Sequence, residues 1–235
     1  MVALALALAT PVHAEPRILW RVENPFRFFT QPGDTEMHRA TYLALRGEDR
    51  QNPILAAERD LWQATGRSHR SATLAEVFER AEVTVTEEFL TSYFETWEPH
   101  TFTDPDAAPL MRSLRERGIK VGVLSNTMWP RSAHERVFLR DQVLELIDGA
   151  VYSSEIAWAK PHPEAFRTAM AAVGMDDPAG CVFVGDRPYD DVHGAKSAGM
   201  RAVLIPNSDV PAFDGAAPDA VITRLSELTR HLDAW

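Results

Sequence analysis

A single cysteine, Cys181, is all that 235 residues provide, which excludes an intramolecular disulfide and a multi-cysteine zinc site. Cys181 opens the apolar run CVFV and is expected to pack in a core. Positive charge is also short: 24 Lys and Arg stand against 34 Asp and Glu, a formal net charge of -10. A general nucleic-acid binder needs a basic face, so that class is excluded. An anionic substrate is not, because a few local cations and a metal outweigh a diffuse negative field.

Long apolar runs are missing too. The longest opens the chain, MVALALALATPVHAEP, and is too short to span a membrane. It reads as the buried first strand of an α/β sheet, whose near-continuous apolar character it shares. The alternative is a signal peptide ending at Val12-His13-Ala14. Against that reading, the first basic residue is Arg17, behind the apolar run rather than ahead of it. The expected location is therefore cytoplasmic, with secretion as the alternative should residues 1–14 be cleaved.

What is present is an alternation of strand and helix signals from about Lys120 onward. Residues 120–126, 149–155, 181–186, 201–206 and 219–223 read as strands. Helices fall at 130–142, 162–174 (closed by Gly174), 191–199 and from Leu225. Such alternation implies right-handed βαβ units and a parallel sheet. Residues 33–118 differ, with helical spacing throughout and no convincing strand. Phe89, Leu90, Tyr93, Phe94 and Trp97 form one apolar helix face there, a stripe expected to be core rather than ligand site.

Chemistry concentrates at three strand ends. VFVGDRPYDD places Asp186 directly behind an apolar strand and Asp191 five residues on. Ligands of open α/β sheets bind at that carboxyl edge, and two hard oxygen ligands suit Mg²⁺ better than zinc. Alone, either aspartate could serve a helix N-terminus. GVLSNT ends another strand at Ser125 and Asn126, where a hydroxyl and backbone N–H groups can hold a phosphate oxygen; alone, Ser125 could be a helix N-cap. AKPHPEAF sets Lys160 ahead of a helix, with Pro161 and Pro163 holding an extended approach.

Together, and in this order, these segments resemble the haloacid dehalogenase-like (HAD) hydrolases, in the subgroup with a helical cap inserted after the first strand. The resemblance runs from about Trp20 to Leu232, and Lys-Pro-x-Pro-x-x-Phe is its strongest mark. It implies an α/β fold, a doubly wound Rossmann-like parallel sheet formed by residues 1–24 and 101–235, with an all-helical cap over residues 25–100. It implies Mg²⁺-dependent hydrolysis of a small phosphate monoester through an aspartyl-phosphate. Ser125 and Asn126 would bind phosphoryl oxygens and Lys160 would neutralise charge. Asp186 would ligate Mg²⁺, with Asp191 a second ligand or the residue that holds Lys160 and a metal-bound water. The expected partner is a small phosphorylated metabolite, with neither nucleic acid nor membrane involved. Dehalogenation needs no metal and fits the aspartate pair less well.

One motif of the family is missing. Its Asp-x-Asp-x-Thr/Val supplies the nucleophile and the general acid/base. Aligning ILWRVEN by Leu19, Trp20, Glu23 and Asn24 puts those positions at Ala14, Pro16 and Ile18. None of the three can perform the step. Asp34-Thr35 follows no apolar strand and reads as a turn. Three explanations stand: a non-catalytic relative that keeps a phosphate or metal pocket, a frame change in the coding sequence just before Ile18, or a displaced Glu15.

Overall fold

The computed structural model describes residues 2–6, 18–23, 53–98, 101–206 and 211–235. Its framework is a seven-stranded sheet. In chain order the strands are β1 (Val2–Leu6), β2 (Ile18–Glu23), β3 (Gly122–Ser125), β4 (Gly149–Tyr152), β5 (Cys181–Gly185), β6 (Arg201–Leu204) and β7 (Ala220–Val221). Their spatial order is β4-β3-β1-β2-β5-β6-β7. The α/β class and the parallel pairing expected from the alternation are present: β2–β5, β3–β4, β5–β6 and β6–β7 all run parallel.

β1 is the exception, antiparallel to both β2 and β3. Strands this close in sequence pair antiparallel, because a parallel crossover needs about a dozen residues or more, usually a helix. Within the apolar opening, Val2–Leu6 form β1. The segment ILWRVE, used in the sequence only as an alignment landmark, forms the strand that pairs parallel with β5, Trp20 opposite Phe183 and Arg21 opposite Val184. Positions 14 and 16, and Asp34-Thr35, lie outside the described residues.

Central strands of such a sheet are covered on both faces. Every residue of β3 and β5 is accordingly buried. One face packs on α4 (Ala107–Glu116) and the C-terminal α8 (Leu228–Leu232), joining Met111 and Leu114 to Val123, Val184 and Leu228. The other carries α6 (Pro163–Ala172) and α7 (Gly194–Ser197), where Phe166 meets Phe183 edge-on at 5.1 Å. Cys181 is fully buried, as its run suggested. α6 ends where Gly174 adopts φ 73°, the left-handed closure that glycine takes without a Cβ penalty.

Between β2 and α4 the described residues are helical: α1 (Pro53–Ser68), α2 (Leu74–Arg80) and α3 (Glu87–Trp97). α2 starts at a reciprocal capping box of Thr73 and Glu76, and α3 starts where Thr86 accepts from Phe89 N–H. The aromatic stripe of α3 packs into a cluster with Val77, Phe78 and Trp129. Trp129 belongs to the turn between β3 and α5 (Arg131–Arg140). Its indole donates to Tyr93 Oη at 3.2 Å, and Leu74 N–H donates to Met128 O at 2.7 Å. The helical unit is therefore bonded directly to the turn that follows Ser125 and Asn126.

Candidate active site

Three strand ends converge at the carboxyl edge of the sheet. β3 delivers Ser125, fully buried, and the following Asn126, 8% exposed. The Asn126 side chain faces Lys160: its Oδ1 accepts from Lys160 N–H at 2.8 Å and its Nδ2 donates to Lys160 O at 2.9 Å. Both ends of the amide are thus spent on the backbone of the lysine segment. Sequence reasoning gave Asn126 to phosphoryl oxygens. The geometry joins its side chain to Lys160, and the amide nitrogen carries a second N–H besides the one given to Lys160 O.

Lys160 reaches inward. Its Nζ lies 2.8 Å from Asp191 Oδ1, in an ion pair whose side chains are 1% and 0% exposed. The ring of Phe183 lies 5.1 Å beneath the ammonium. Taking two charges out of water is expensive, and the pair holds only because further hydrogen bonds complete it. Asp191 Oδ2 supplies one, accepting from Arg187 N–H at 2.9 Å. With both oxygens so used, Asp191 fits the second of its two expected roles, holding Lys160.

The aspartates sit on a wide turn, a π-helical segment over Pro188–His193, rather than on the α-helix expected from residue 191. Such turns occur often at functional sites. β5 feeds the turn through Gly185, where any Cβ would overlap the Asp191 carboxylate. Asp186 follows, 5% exposed. Asp190 stands between the two in sequence, one position before Asp191. It lies beside Asp191 with Arg187 Nη1 at 3.5 Å. Burial first, and the charge of Asp191 second, push its carboxyl pKa above the ordinary range.

A divalent cation would relieve that crowding of carboxylates, and the donors are hard oxygens of the kind Mg²⁺ takes. The set is thin, however. Among the described residues there is no group of three or more His, Cys, Asp or Glu placed to hold a metal. Asp186, Asp190 and Asp191 are the carboxylates that follow β5 here.

The helical unit also borders the site. Residues 69–71 pair with 157–159, the segment leading to Lys160, through Ala159 N–H to His69 O at 2.9 Å and Ser71 N–H to Ala157 O at 3.1 Å. Arg70 lies over the Trp158 ring at 4.4 Å. His69 Nε2 is 3.3 Å from Tyr189 Oη, on the aspartate-bearing turn. No spacing pattern pointed to His69 or Tyr189, because their contact joins residues 120 positions apart.

Comparison with known proteins agrees with this geometry. A family model described as a haloacid dehalogenase-like hydrolase matches residues 14–199. Phosphatase MT3486 of Mycobacterium tuberculosis is 39% identical over 130 residues, 55% of this chain and 55% of that protein. The phosphoserine phosphatase of Thermus thermophilus is 32% identical over 124 residues, 53% of this chain and 49% of that protein. The chain spans about half the length of these curated relatives. Among solved structures, a HAD phosphatase from Thermococcus onnurineus superposes with a TM-score of 0.57 at 27% identity, covering 74% of this chain and 78% of its own. The HAD-hydrolase YfnB of Bacillus subtilis, solved with bound magnesium, gives 0.59 at 16% identity over 89% of this chain and 87% of its own, a likeness of fold alone. No helix among the described residues is long and apolar enough to cross a membrane.

Proposed function

The chain belongs to the haloacid dehalogenase-like hydrolases, and from that premise we propose that its pocket serves Mg²⁺-dependent hydrolysis of a small phosphate monoester. The observation that carries this reading is the buried Lys160–Asp191 pair, clamped to the end of β3 by Asn126. It would set a fixed positive charge beside the carboxylates of the β5 turn. Preorganised charge of this kind stabilises a transition state at no reorganisation cost during the reaction.

In this reading the Ser125 hydroxyl and nearby backbone N–H groups orient the phosphoryl oxygens. Lys160 neutralises the charge that accumulates on them. Asp191 keeps the lysine aimed, and Arg187 N–H keeps Asp191 in place. Asp186 and Asp190 would hold Mg²⁺, which, bound there, supplies Lewis-acid stabilisation of phosphoryl oxygens. The helical unit, with the cap spanning residues 25–100, would cover the leaving group and exclude water through the 69–71 segment. A small phosphorylated metabolite suits this arrangement, and the phosphatase names of the relatives support it.

The attacking group is what the chain lacks. With Ala14 and Pro16 at the first-motif positions, turnover by the chain as written is expected to be negligible. Loss of a nucleophile costs on the order of 10⁶ in rate in one well-studied hydrolase. A second reading, a non-catalytic protein that binds phosphate or metal in the same pocket, draws on that absence and on the thin donor set. The two separate by assaying Mg²⁺-dependent phosphate release from an aryl phosphate before and after Ala14→Asp and Pro16→Asp are introduced together. Gain of release supports the phosphatase pocket. A folded, Mg²⁺-binding but inert double variant overturns the alignment of the first motif.

A further inference from the structure

The turn Thr127–Met128–Trp129 directly follows Ser125 and Asn126, yet no regular secondary structure holds it. Side chains hold it instead. Ser153 Oγ accepts from Thr127 N–H at 2.8 Å and donates to Thr127 O at 2.9 Å. Ser154 Oγ donates to Trp129 O at 2.7 Å. Thr127 Oγ1 accepts from Trp129 N–H at 3.0 Å, closing the turn on itself. The bond to Trp129 N–H thus depends on the rotamer of Thr127.

One further group fixes that rotamer. His134, on the first half of α5 and 0% exposed, places Nε2 2.9 Å from Thr127 Oγ1. Its ring is stacked on Tyr152 at 4.7 Å and 6°, so the imidazole cannot swing away. Nδ1 is buried and has no hydrogen-bond partner among the described residues. Nε2 and the threonine hydroxyl share one hydrogen bond in either tautomer, so the link holds whichever of the two donates. Burial above all keeps the ring neutral, with Arg131 adding to the effect.

We propose that His134 is a positioning residue for the phosphate-binding end of β3, acting through the hydroxyl of Thr127. The imidazole touches no substrate. It locks Thr127, Thr127 closes the turn, and the closed turn sets the backbone N–H groups beside Ser125 at the spacing an anion requires. The inference rests on the reading of Ser125 as a phosphate contact.

Binding of inorganic phosphate tests it without turnover, and a chain without first-motif carboxylates presents less negative charge to repel the probe. Phosphate affinity is measured by calorimetry on the full chain with Mg²⁺, with circular dichroism to confirm the fold. His134→Leu should weaken binding about tenfold, the worth of one well-placed hydrogen bond. His134→Gln, which keeps a donor, should restore most of it. Thr127→Val should reproduce the loss, and adding His134→Leu to it should weaken binding no further, the coupling expected of residues acting as one unit. Tyr152→Phe, which keeps the stacking ring, should bind as the unaltered protein does. Should His134→Leu fail to fold, Thr127→Val and His134→Gln carry the same comparison.

Folded variants that all bind phosphate equally overturn the positioning role while leaving the pocket reading intact. Additive losses from Thr127→Val and His134→Leu overturn the route through Thr127. Absence of phosphate binding by the unaltered protein overturns the pocket reading, and the role of His134 with it.

Discussion

At the scale of single residues, the site depends on charges buried so completely that each survives only through its partner. Lys160→Met would leave Asp191 charged and uncompensated in the interior, a loss of about 3–5 kcal/mol. Adding Asp191→Asn should recover part of it; denaturant unfolding of both variants checks this, and equal losses would contradict the pairing. His134 supplies a pH signature. In the folded chain its pKa lies well below the ordinary 6.5, so below about pH 6.5 the unfolded chain takes up a proton that the folded chain refuses. Stability should therefore fall on acidification by up to about 1.4 kcal/mol per pH unit from this group, and be unaffected by it above that pH. Unfolding of the unaltered protein and of His134→Gln between pH 7 and 5 should show the shallower slope in the variant.

At the scale of elements, the β5-to-α7 connection is the part on which most depends. Gly185 exists there because the Asp191 carboxylate occupies the space of a Cβ. Gly185→Ala should displace the π-helical turn, cost about 1–3 kcal/mol and abolish any rise in melting temperature on adding Mg²⁺. An unchanged Mg²⁺ response would show that the turn holds no ion. Elements whose chemistry is local were legible beforehand: the apolar run of β5 ahead of Asp186, the prolines ahead of the helix after Lys160, the apolar stripe of α3. β2 was not, because Arg21 and Glu23 interrupt the apolar pattern that marks a buried strand. Nor was the contact of Asn126 with Lys160, which lies 34 positions away and is met through its backbone. Residues 191–199 read as a regular helix, and the fold puts a wider turn over Pro188–His193.

At the scale of the whole molecule, the described helical unit meets the sheet domain beside both halves of the pocket. The 69–71 segment pairs with the approach to Lys160, and Trp129 with Met128 binds α2 and α3 to the turn beyond Ser125. Family membership accounts for the fold, and the proposed function adds a pocket short of its attacking carboxylate. The central claim is that a phosphoryl-transfer pocket stands assembled around Lys160, Asp186 and Asp191 and lacks only that group. Its most direct measurement is phosphate release from an aryl phosphate by the Ala14→Asp, Pro16→Asp double variant, with Mg²⁺ and with a chelator. The account predicts release that requires both substitutions and the metal; a folded double variant that binds Mg²⁺ and releases no phosphate would contradict it.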